Sequence, residues 1–327
     1  MIITRTPFRI SFAGGGSDLE AFYSHEPGMV LSSSIDKYMY LAVKEHFDLN
    51  FRISYSKTEF ADTVDQIDHR IVRACLKSLG IERGLEIVSM ADLPARTGLG
   101  SSSSFTVGLL QALYAMQGRV VGPERLAREA CAIEIDQLHE PIGKQDQYIA
   151  AHGGLQFIQF NRDGTVFVNP VACAAETRLE LNRRLMIFYT GATRDASEVL
   201  MKQRANTAQK LPVLRKMCET ARQLRDVLTD GRDLNAFGRL LHEGWEAKRS
   251  LETSISTSKI DEYYDRGLRA GALGGKLLGA GGGGFLLFFC EPHRQQQVRE
   301  ELSSLRELAF SLDPEGSKIV YIGGNRA

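Results

Sequence analysis

The sequence has no excess of charge of either sign. Its 327 residues carry 40 Lys and Arg against 40 Asp and Glu, so the formal net charge is zero. Proteins that hold nucleic acid or an anionic membrane chiefly by charge need a basic surplus on their surface. We therefore predict that neither is a main partner of this chain, and we expect small molecules instead.

Cysteine is scarce, and long apolar runs are missing. The five cysteines are scattered, with no Cys-x-x-Cys pair among them, which favours free thiols in a reducing compartment. The first residues lack the basic region and apolar core of a signal peptide, and no run reaches the roughly 18 apolar residues that a membrane span needs. We predict a cytoplasmic protein.

Two common nucleotide-binding motifs are also missing, although glycine-rich runs are present. The run Gly279–Gly284 formally fits Gly-x-Gly-x-x-Gly, but the strand-like Phe285–Phe289 follows it where a dinucleotide fold needs a helix. No glycine run ends in Gly-Lys-Ser or Gly-Lys-Thr, which excludes a P-loop. His-Glu-x-x-His and Gly-x-Ser-x-Gly are missing too, so zinc proteolysis and a serine-hydrolase elbow are not expected.

Strand-like and helix-like patterns alternate along the chain, and the chain is longer than the roughly 250 to 300 residues at which single cores stop growing. We predict an α+β protein of two domains, residues 1–180 and 181–327, divided in the weakly patterned stretch Ala172–Arg184. The predicted strands are Met39–Val43, Phe51–Tyr55, Leu85–Ser89, Leu155–Phe160, Val166–Val168, Leu185–Tyr189, Phe285–Phe289 and Ile319–Ile322. The predicted helices are Thr106–Met116, Glu124–Leu138 and two more around residues 214–228 and 237–245.

The stretch Pro94–Phe105 carries a pattern typical of anion binding. Gly98 and Gly100 precede four serines, and the apolar periodicity predicts a helix that begins near Ser101. The free N–H groups and the dipole of such a helix start favour an anion. Taken alone, the stretch is equally typical of an ordinary loop before a capped helix.

Three motifs together resemble those of the GHMP kinases, a superfamily that includes galactokinase, homoserine kinase and mevalonate kinase. They are Pro7-Phe8-Arg9, Pro94-x-x-x-Gly98-Leu99-Gly100-Ser101-Ser102 and the glycine-rich run from Lys276 to Phe285, so they span nearly the whole chain. Arg5–Leu19, Tyr189–Arg194 and Trp245–Leu251 are similar to a branch of sugar 1-kinases that act on D-glycero-D-manno-heptose 7-phosphate. The resemblance implies a two-domain GHMP kinase fold, with a ribosomal protein S5 domain 2-like N-terminal domain and a ferredoxin-like C-terminal domain.

The resemblance also implies ATP and Mg2+ as cofactors. It places Ser102 and Glu134 at the metal, although Glu134 could instead lie on a solvated helix face; its neighbours Ile133 and Ile135 argue against full exposure. The implied phosphate-binding residues are Pro94, Gly98, Leu99, Gly100, Ser101, Ser102, Ser103 and Ser104.

Asp146 and Arg9 are the catalytic residues that the resemblance implies. Asp146, in Gly143-Lys-Gln-Asp146-Gln147, matches the aspartate that faces the acceptor hydroxyl in family sugar kinases, where a carboxylate can accept the proton. Arg9 matches the basic residue of the first motif and would stabilise the charge in transfer. The alternatives are a turn-capping aspartate and a surface arginine.

The acceptor is expected to be a phosphorylated sugar. Galactokinases have Gly-Glu-His where this chain has Gly14-Gly15-Gly16, which makes galactose itself doubtful. Arg194 is the candidate for the distal phosphate, with Lys144, Lys202 and Arg204 as runners-up. The implied substrate-binding residues are Gly15, Gly16, Ser17, Asp18, Gly191, Arg194, Gly281 and Gly282.

The expected reaction is the ATP-dependent phosphorylation of the C1 hydroxyl of D-glycero-D-manno-heptose 7-phosphate. Two alternatives stay open. One is a kinase of the same fold that acts on another sugar such as fucose, and the other is a sugar sensor without activity. The sequence leaves the anomer undetermined and a homo-oligomer possible.

Overall fold

A computed structural model describes residues 1–191, 199–202 and 206–323 of the chain. Eight strands form its larger sheet, in the order β12-β1-β2-β5-β3-β4, with β6 added beside β2 and β7 beside β6 once the strands are numbered along the chain. Their bounds are β1 Ile2–Ala13, β2 Gly28–Glu45, β3 Phe51–Ser54, β4 Thr58–Ala61, β5 Leu85–Ala91, β6 Leu155–Phe160, β7 Val166–Pro170 and β12 Lys318–Ile322.

Helices α3 (Ser101–Met116) and α5 (Gln145–His152) pack against β1 and β2 of this sheet, and α2 (Arg70–Ser78) and α4 (Pro123–Cys131) pack on α3. Helix α3 is buried along most of its length, because it lies against β1 and β2: the Thr4 hydroxyl donates to the Gly108 carbonyl at 3.0 Å, and a Cβ added to Gly108 would lie 2.6 Å from Thr6 Oγ1. The helix start at Ser101 is thereby fixed relative to β1. The bounds are α1 Glu20–Tyr23, α2 Arg70–Ser78, α3 Ser101–Met116, α4 Pro123–Cys131, α5 Gln145–His152 and α6 Ala175–Arg184.

A smaller antiparallel sheet, in the order β11-β8-β10-β9, forms the second half. Its central strand β10 is buried at every position because the second-half helices cover it; Phe288 stacks with Tyr264 at 5.8 Å between ring centroids, and Phe289 packs on Phe237 at 5.7 Å. The strands are β8 Leu185–Tyr189, β9 Ala272–Leu277, β10 Phe285–Cys290 and β11 Arg306–Glu307, and the helices are α7 Leu211–Asp230, α8 Asn235–Arg249, α9 Ser258–Arg269 and α10 Gln295–Glu301.

The two sheets share one apolar core and several polar contacts. Phe12 of β1 meets Phe237 of α8 edge to face at 5.2 Å, and Lys276 Nζ of β9 donates to the Ser11 carbonyl at 2.6 Å. After the second sheet the chain returns to the first, where β12 pairs with β1. The predicted boundary between residues 180 and 181 stays a prediction.

Several sequence-based element bounds need correction. Met39–Val43 is only part of the longer strand β2, and the predicted helix Glu124–Leu138 is α-helical only to Cys131, after which Ala132–Gln137 widens into a π-helical turn. The stretch Ala172–Arg184 contains helix α6, which the pattern does not reveal because only Thr177 and Leu181 are buried on it. All five cysteines are free thiols. No helix in the part of the chain that the structure describes is both long and apolar enough to cross a membrane.

Candidate active site

A cleft of about 480 Å³ lies where the two sheets meet. Its walls come from separate parts of the chain: the end of β1 with the loop after it, the loop before α3, the loop before α5, helix α8, and the glycine-rich segment Gly279–Gly284. A cleft that collects polar side chains and backbone from several elements is the usual form of a small-molecule site. The predicted site residues fall largely within it.

The loop before α3 forms one wall of the cleft. Gly98 and Gly100 have φ of +81° and +79°, a left-handed conformation that suits glycine, and α3 begins directly after Gly100. The first N–H groups of a helix have no partner within it, so those of Ser101 to Ser103 are available at the cleft. This arrangement is suited to phosphate.

The glycine-rich segment holds that loop in place. A Cβ added to Gly279 would lie 2.5 Å from Gly98 Cα, and one added to Gly284 would lie 2.4 Å from the Thr97 carbonyl oxygen. Backbone from the second half of the chain thus rests directly on the loop before α3. Side chains at these positions would separate the two segments.

Three of the predicted loop residues have other surroundings. Leu99 is buried in the core, and the Ser104 hydroxyl donates to the Pro7 carbonyl at 2.8 Å, away from the cleft. Pro94 is exposed and does not line the cleft, although its carbonyl accepts a hydrogen bond of 3.0 Å from Thr97. Their part in binding phosphate stays a prediction.

Glu134 is a fully buried carboxylate at the inner end of the loop. Ser102 Oγ donates to its Oε1 at 2.6 Å, while Ser103 Oγ and Gln147 Nε2 donate to its Oε2 at 2.9 and 2.6 Å. All three donors are neutral, and Glu134 forms no ion pair with any residue that the structure describes. Burial raises the pKa of Glu134, against the lowering effect of these hydrogen bonds. A cation near Ser102 would offset this buried charge.

The π-helical turn explains why Glu134 points inward. The N–H of Leu138 donates to the Ile133 carbonyl five residues back, at 3.0 Å, so the turn is wider than in an α-helix. Turns of this kind occur frequently at functional sites. The alternative of a solvated helix face for Glu134 is therefore wrong.

The buried Arg9 and the partly exposed Asp146 form an ion pair that lines the cleft. Arg9 Nε and Nη2 donate to the two oxygens of Asp146 at 2.7 and 2.6 Å, and Nη1 donates to the Gly98 carbonyl at 2.6 Å. The guanidinium is thus held by Asp146 and by the Gly98 carbonyl, and the Arg9 backbone N–H donates to the Leu99 carbonyl at 3.0 Å. Neither the surface position nor the turn-capping role that stood as alternatives is found here.

Asp18 lies beside this pair and is also buried. The N–H of Gly16 donates to its Oδ1 at 2.8 Å, and that of Gln145 donates to its Oδ2 at 3.3 Å. Burial raises the pKa of Asp18; the hydrogen bond from Gly16 opposes this shift, and the charge of Asp146 adds to it. Two carboxyl groups therefore lie close together, with different surroundings.

The other predicted substrate residues divide into two groups. Gly15, Gly16 and Gly281 line the cleft, but the Ser17 hydroxyl is buried and forms hydrogen bonds with backbone, to the Gly14 and Met29 carbonyls at 2.8 and 3.1 Å and from the Met29 N–H at 3.0 Å. Ser17 therefore holds the loop rather than facing a ligand. The remaining positions do not line the cleft: Gly282, whose N–H donates to Ile255 at 2.9 Å, and the exposed Gly191. Arg194 and Arg204 lie outside the described residues.

Lys248 and Lys276 lie in two of the stretches that carry the resemblance, Trp245–Leu251 and Lys276–Phe285, but no role in the site was predicted for either from the sequence. Both are buried, and Lys248 of α8 lines the cleft with its Nζ donating to the Gly279 carbonyl. A signal was present for Lys248, because it lies three residues after the buried Trp245 and seven after the buried Leu241, on the apolar face of its helix. A lysine on that face is out of place unless the cleft uses it.

Two family models match the chain. The model of the GHMP kinases N terminal domain matches residues 67–154, and that of the GHMP kinases C terminal matches residues 219–307. The chain belongs to the GHMP kinase family. The first match contains Glu134 and Asp146, and the second contains Lys248 and the glycine-rich segment, so both models include parts of the cleft, whereas Arg9 and Asp18 lie before the first match.

This GHMP kinase is similar to several sugar kinases. It is 27% identical over 338 residues to the D-glycero-alpha-D-manno-heptose 7-phosphate kinase of Campylobacter jejuni, covering 97% of this chain and 98% of the relative. The bifunctional fucokinase/GDP-fucose pyrophosphorylase of Arabidopsis thaliana is 24% identical over 92% of this chain, which spans 31% of that longer protein. The crystal structure of a D-glycero-D-manno-heptose 1-phosphate kinase from Bacteroides thetaiotaomicron superimposes with a TM-score of 0.82 at 25% identity, covering 99% of this chain and 100% of that one.

The comparisons confirm the predicted α+β, two-domain GHMP kinase fold and the predicted enzyme class, an ATP-dependent kinase. The described residues contain no group of three or more His, Cys, Asp and Glu side chains that could hold a metal ion by themselves. Oxygen ligands suit Mg2+, which usually takes only one or two carboxylates and completes its shell with water and substrate phosphates. The hydroxyl of Ser102 and the carboxylate of Glu134 fit that pattern.

Proposed function

We propose that this kinase transfers the γ-phosphoryl group of ATP to the anomeric C1 hydroxyl of D-glycero-D-manno-heptose 7-phosphate, giving the 1,7-bisphosphate and ADP. The observation that carries the proposal is the Arg9–Asp146 pair, which lines the cleft beside the buried Asp18 and the loop before α3. The similarity to heptose phosphate kinases over the whole chain supports the choice of sugar.

Asp146 is the general base of the proposed reaction. Arg9 binds one lone pair on each carboxylate oxygen, and each oxygen keeps another that can accept the proton of the acceptor hydroxyl. As that proton moves to Asp146, the acceptor oxygen bonds to the γ-phosphorus, and the bond from phosphorus to the β,γ-bridging oxygen breaks to release ADP. The guanidinium of Arg9 lies where it can stabilise the charge in transfer.

The loop before α3 would hold the ATP phosphates. Its glycines bring backbone close to the ligand, and the N–H groups at the start of α3 donate to phosphate oxygens. Ser102 and Glu134 would hold Mg2+, which supplies neutralisation of phosphate charge when it is bound. Glu134 gains a cationic partner in this arrangement, which it does not have among the described residues.

The acceptor sugar would lie against Asp18 and the glycines after β1. A carboxylate is suited to neighbouring sugar hydroxyls, and Gly15 and Gly16 leave space beside it for a sugar larger than a hexose. Arg194 remains the proposed ligand of the distal phosphate. We also keep as predictions a cytoplasmic location, the division of the chain after residue 180, and the possibility of a homo-oligomer.

The test is ADP release by the purified protein with Mg2+ and ATP across a panel of sugars. The panel contains heptose 7-phosphate, mannose 6-phosphate, mannose, galactose and fucose, and phosphorus NMR identifies the position of the new phosphate. Selective turnover of heptose 7-phosphate, with a new phosphate on C1, is the expected result. A product phosphorylated elsewhere would overturn the proposed regiochemistry.

A second candidate is a fucose 1-kinase, favoured by the similarity to a bifunctional fucokinase over most of this chain. Turnover of fucose in preference to every phosphorylated sugar in the panel would select it. Silence with all sugars, together with intact nucleotide binding, would instead point to a sugar sensor on a kinase scaffold. The presence of Arg9, Asp146 and Ser102 in one cleft, with Glu134 hydrogen-bonded behind Ser102, argues against the sensor.

A further inference from the structure

The amino group of Lys248 is a buried cation for which the proposed reaction has so far given no role. The residue is only 6% exposed, and its Nζ donates to one backbone carbonyl, that of Gly279. It forms no ion pair within the described ranges of the chain, although an ammonium group has three N–H donors. Burying such a group is costly unless its remaining donors find a partner.

The charges around Lys248 come from several elements. Arg9 of β1, Asp146 of α5 and Asp18 of the loop after β1 all act on it electrostatically, and Lys276 of β9 lies close enough that the two lysines repel each other. Three basic side chains thus lie in this region with two carboxylates. One of the carboxylates, Asp146, is already paired with Arg9. An anion that enters between them would relieve the repulsion.

Lys248 and Arg9 are anchored on two backbone segments that touch each other. Arg9 Nη1 donates to the Gly98 carbonyl at 2.6 Å, Lys248 donates to the Gly279 carbonyl, and a Cβ on Gly279 would lie 2.5 Å from Gly98 Cα. The two cations therefore reach the same part of the cleft from opposite halves of the chain. That part lies directly before the start of α3, where the proposed reaction needs the γ-phosphate.

We infer that Lys248 binds the phosphoryl group in transfer, opposite Arg9, with its free N–H donors on the phosphoryl oxygens. The inference rests on the proposed function for the identity of the reaction. The charge of the group is then held from both lobes while its bond to the β,γ-bridging oxygen breaks and its bond to the acceptor oxygen forms. A lysine suits this position because it can follow a moving group as a compact charge.

The first test is nucleotide binding, because it needs no sugar. We would measure the affinity of wild type, Lys248→Met and Lys248→Arg for ADP and for AMPPNP, a non-hydrolysable ATP analogue, by calorimetry in the presence of Mg2+. Loss of a γ-phosphate contact in Lys248→Met should weaken AMPPNP binding about tenfold and leave ADP binding unchanged, and Lys248→Arg should restore most of the difference. The matched control is Lys216→Met, at an exposed lysine of α7 outside the cleft.

An unchanged ratio of AMPPNP to ADP affinity in Lys248→Met would overturn the inference. A parallel loss for both nucleotides would overturn it as well, since it would mean a structural role in closing the cleft. If Lys248→Met does not fold, the inference is tested by the pH profile of Lys248→Arg alone, as described for the second test. Should the wild type act on none of the sugars, the proposed function fails while the binding comparison still decides on Lys248.

The second test is the pH dependence of turnover. Burial and the charge of Arg9 lower the pKa of Lys248 to about 8, while Asp18 and Asp146 act in the other direction. The protonated amine is the form that binds an anion. The wild-type kcat/KM for ATP should therefore fall as pH rises above about 8 and be retained below it. Lys248→Arg should remove this basic limb, and Lys248→Met should lower kcat about 100- to 1,000-fold at all pH values. A limb that persists in Lys248→Arg would contradict the inference.

Discussion

Arg9 and Asp146 hold each other through two parallel hydrogen bonds of 2.7 and 2.6 Å, although 137 positions separate them in the chain. A bidentate pair of this kind fixes the plane of the carboxylate as well as its position. The oxygens of Asp146 are therefore oriented before any acceptor arrives. Preorganisation of this kind lowers the cost of reaching the reactive geometry.

Replacement of Asp146 by Asn should remove most turnover. The amide keeps the size of the side chain but accepts no proton, so kcat should fall about 100- to 10,000-fold. Nucleotide binding should be retained, since the loop before α3 is untouched. We would measure ADP release and ADP affinity, with Asp226→Asn at an exposed position of α7 as the control. Turnover within a few-fold of wild type would remove Asp146 from the mechanism.

Replacement of Glu134 by Gln should weaken the response to Mg2+ and change the pH dependence of stability. Burial raises the pKa of Glu134, so the folded state holds its proton more tightly than the unfolded state does. The contribution of Glu134 to the free energy of unfolding is thus fully present below its unfolded pKa and is lost as pH rises through its folded pKa.

Thermal unfolding without Mg2+ checks this expectation. The unfolding temperature of Glu134→Gln, relative to that of the wild type, should rise from pH 4 to pH 8, because the variant has no carboxylate to ionise in the core. Addition of Mg2+ and ATP should stabilise the wild type more than the variant. Equal pH profiles for the two proteins would contradict the raised pKa, and an equal response to Mg2+ would remove Glu134 from the metal site.

Replacement of Gly143 by Ala should disturb the acceptor site selectively. The added Cβ would lie 2.0 Å from Asp18 Oδ2, so the carboxylate has to move. We expect the KM for the sugar to rise at least tenfold, while the affinity for ADP stays near that of wild type. Gly122→Ala is the matched control, since nothing lies within 4 Å of its added Cβ. A KM unchanged from the wild type would show that Asp18 does not bind the acceptor.

Substitution of Ser102 should lower turnover, whereas substitution of Ser104 should lower stability alone. Ser102 faces the cleft and Glu134, whereas the Ser104 hydroxyl is buried and donates to the Pro7 carbonyl at 2.8 Å. Ser102→Ala should lower kcat, and it should also lower the free energy of unfolding, because the buried Glu134 loses one of its three hydrogen-bond donors. Ser104→Ala should lower the free energy of unfolding by about 1 to 3 kcal/mol, because a buried carbonyl loses its partner, and should leave kcat nearly unchanged. Denaturant unfolding and ADP release together test the pair, and the reverse assignment of effects would refute it.

The sequence predicts elements well where one local pattern dominates. The strand Leu185–Tyr189 is found with the predicted bounds, because a short apolar run that is buried on both faces reads plainly as a strand. Helix α6 was missed because it is mostly exposed and buries only two side chains, and the π-helical turn after Cys131 was missed because its apolar spacing continues that of an α-helix.

The candidate site was predicted mainly from the family resemblance. That resemblance implied Arg9, Asp146, Ser102 and Glu134; in the structure Arg9, Asp146 and Ser102 line one cleft, and the buried Glu134 accepts a hydrogen bond from Ser102. Lys248 was missed because its partners lie far away in the chain, on the glycine-rich segment and β1, and helical periodicity alone says nothing of them. Ser17 was included because its neighbours face the cleft, although its own hydroxyl turns to backbone.

The pairing of β1 with β12 has a consequence for the order in which the protein can fold. β1 is synthesised before the other strands of the larger sheet, yet Ile2–Arg5 on its outer edge pair with Lys318–Ile322, which follow more than 300 residues later. Throughout synthesis of the second half, that edge offers unpaired backbone groups to other nascent chains. Completion of the larger sheet therefore has to wait until β12 has emerged, which links the yield of native enzyme to the speed of translation and to chaperones that shield open strands.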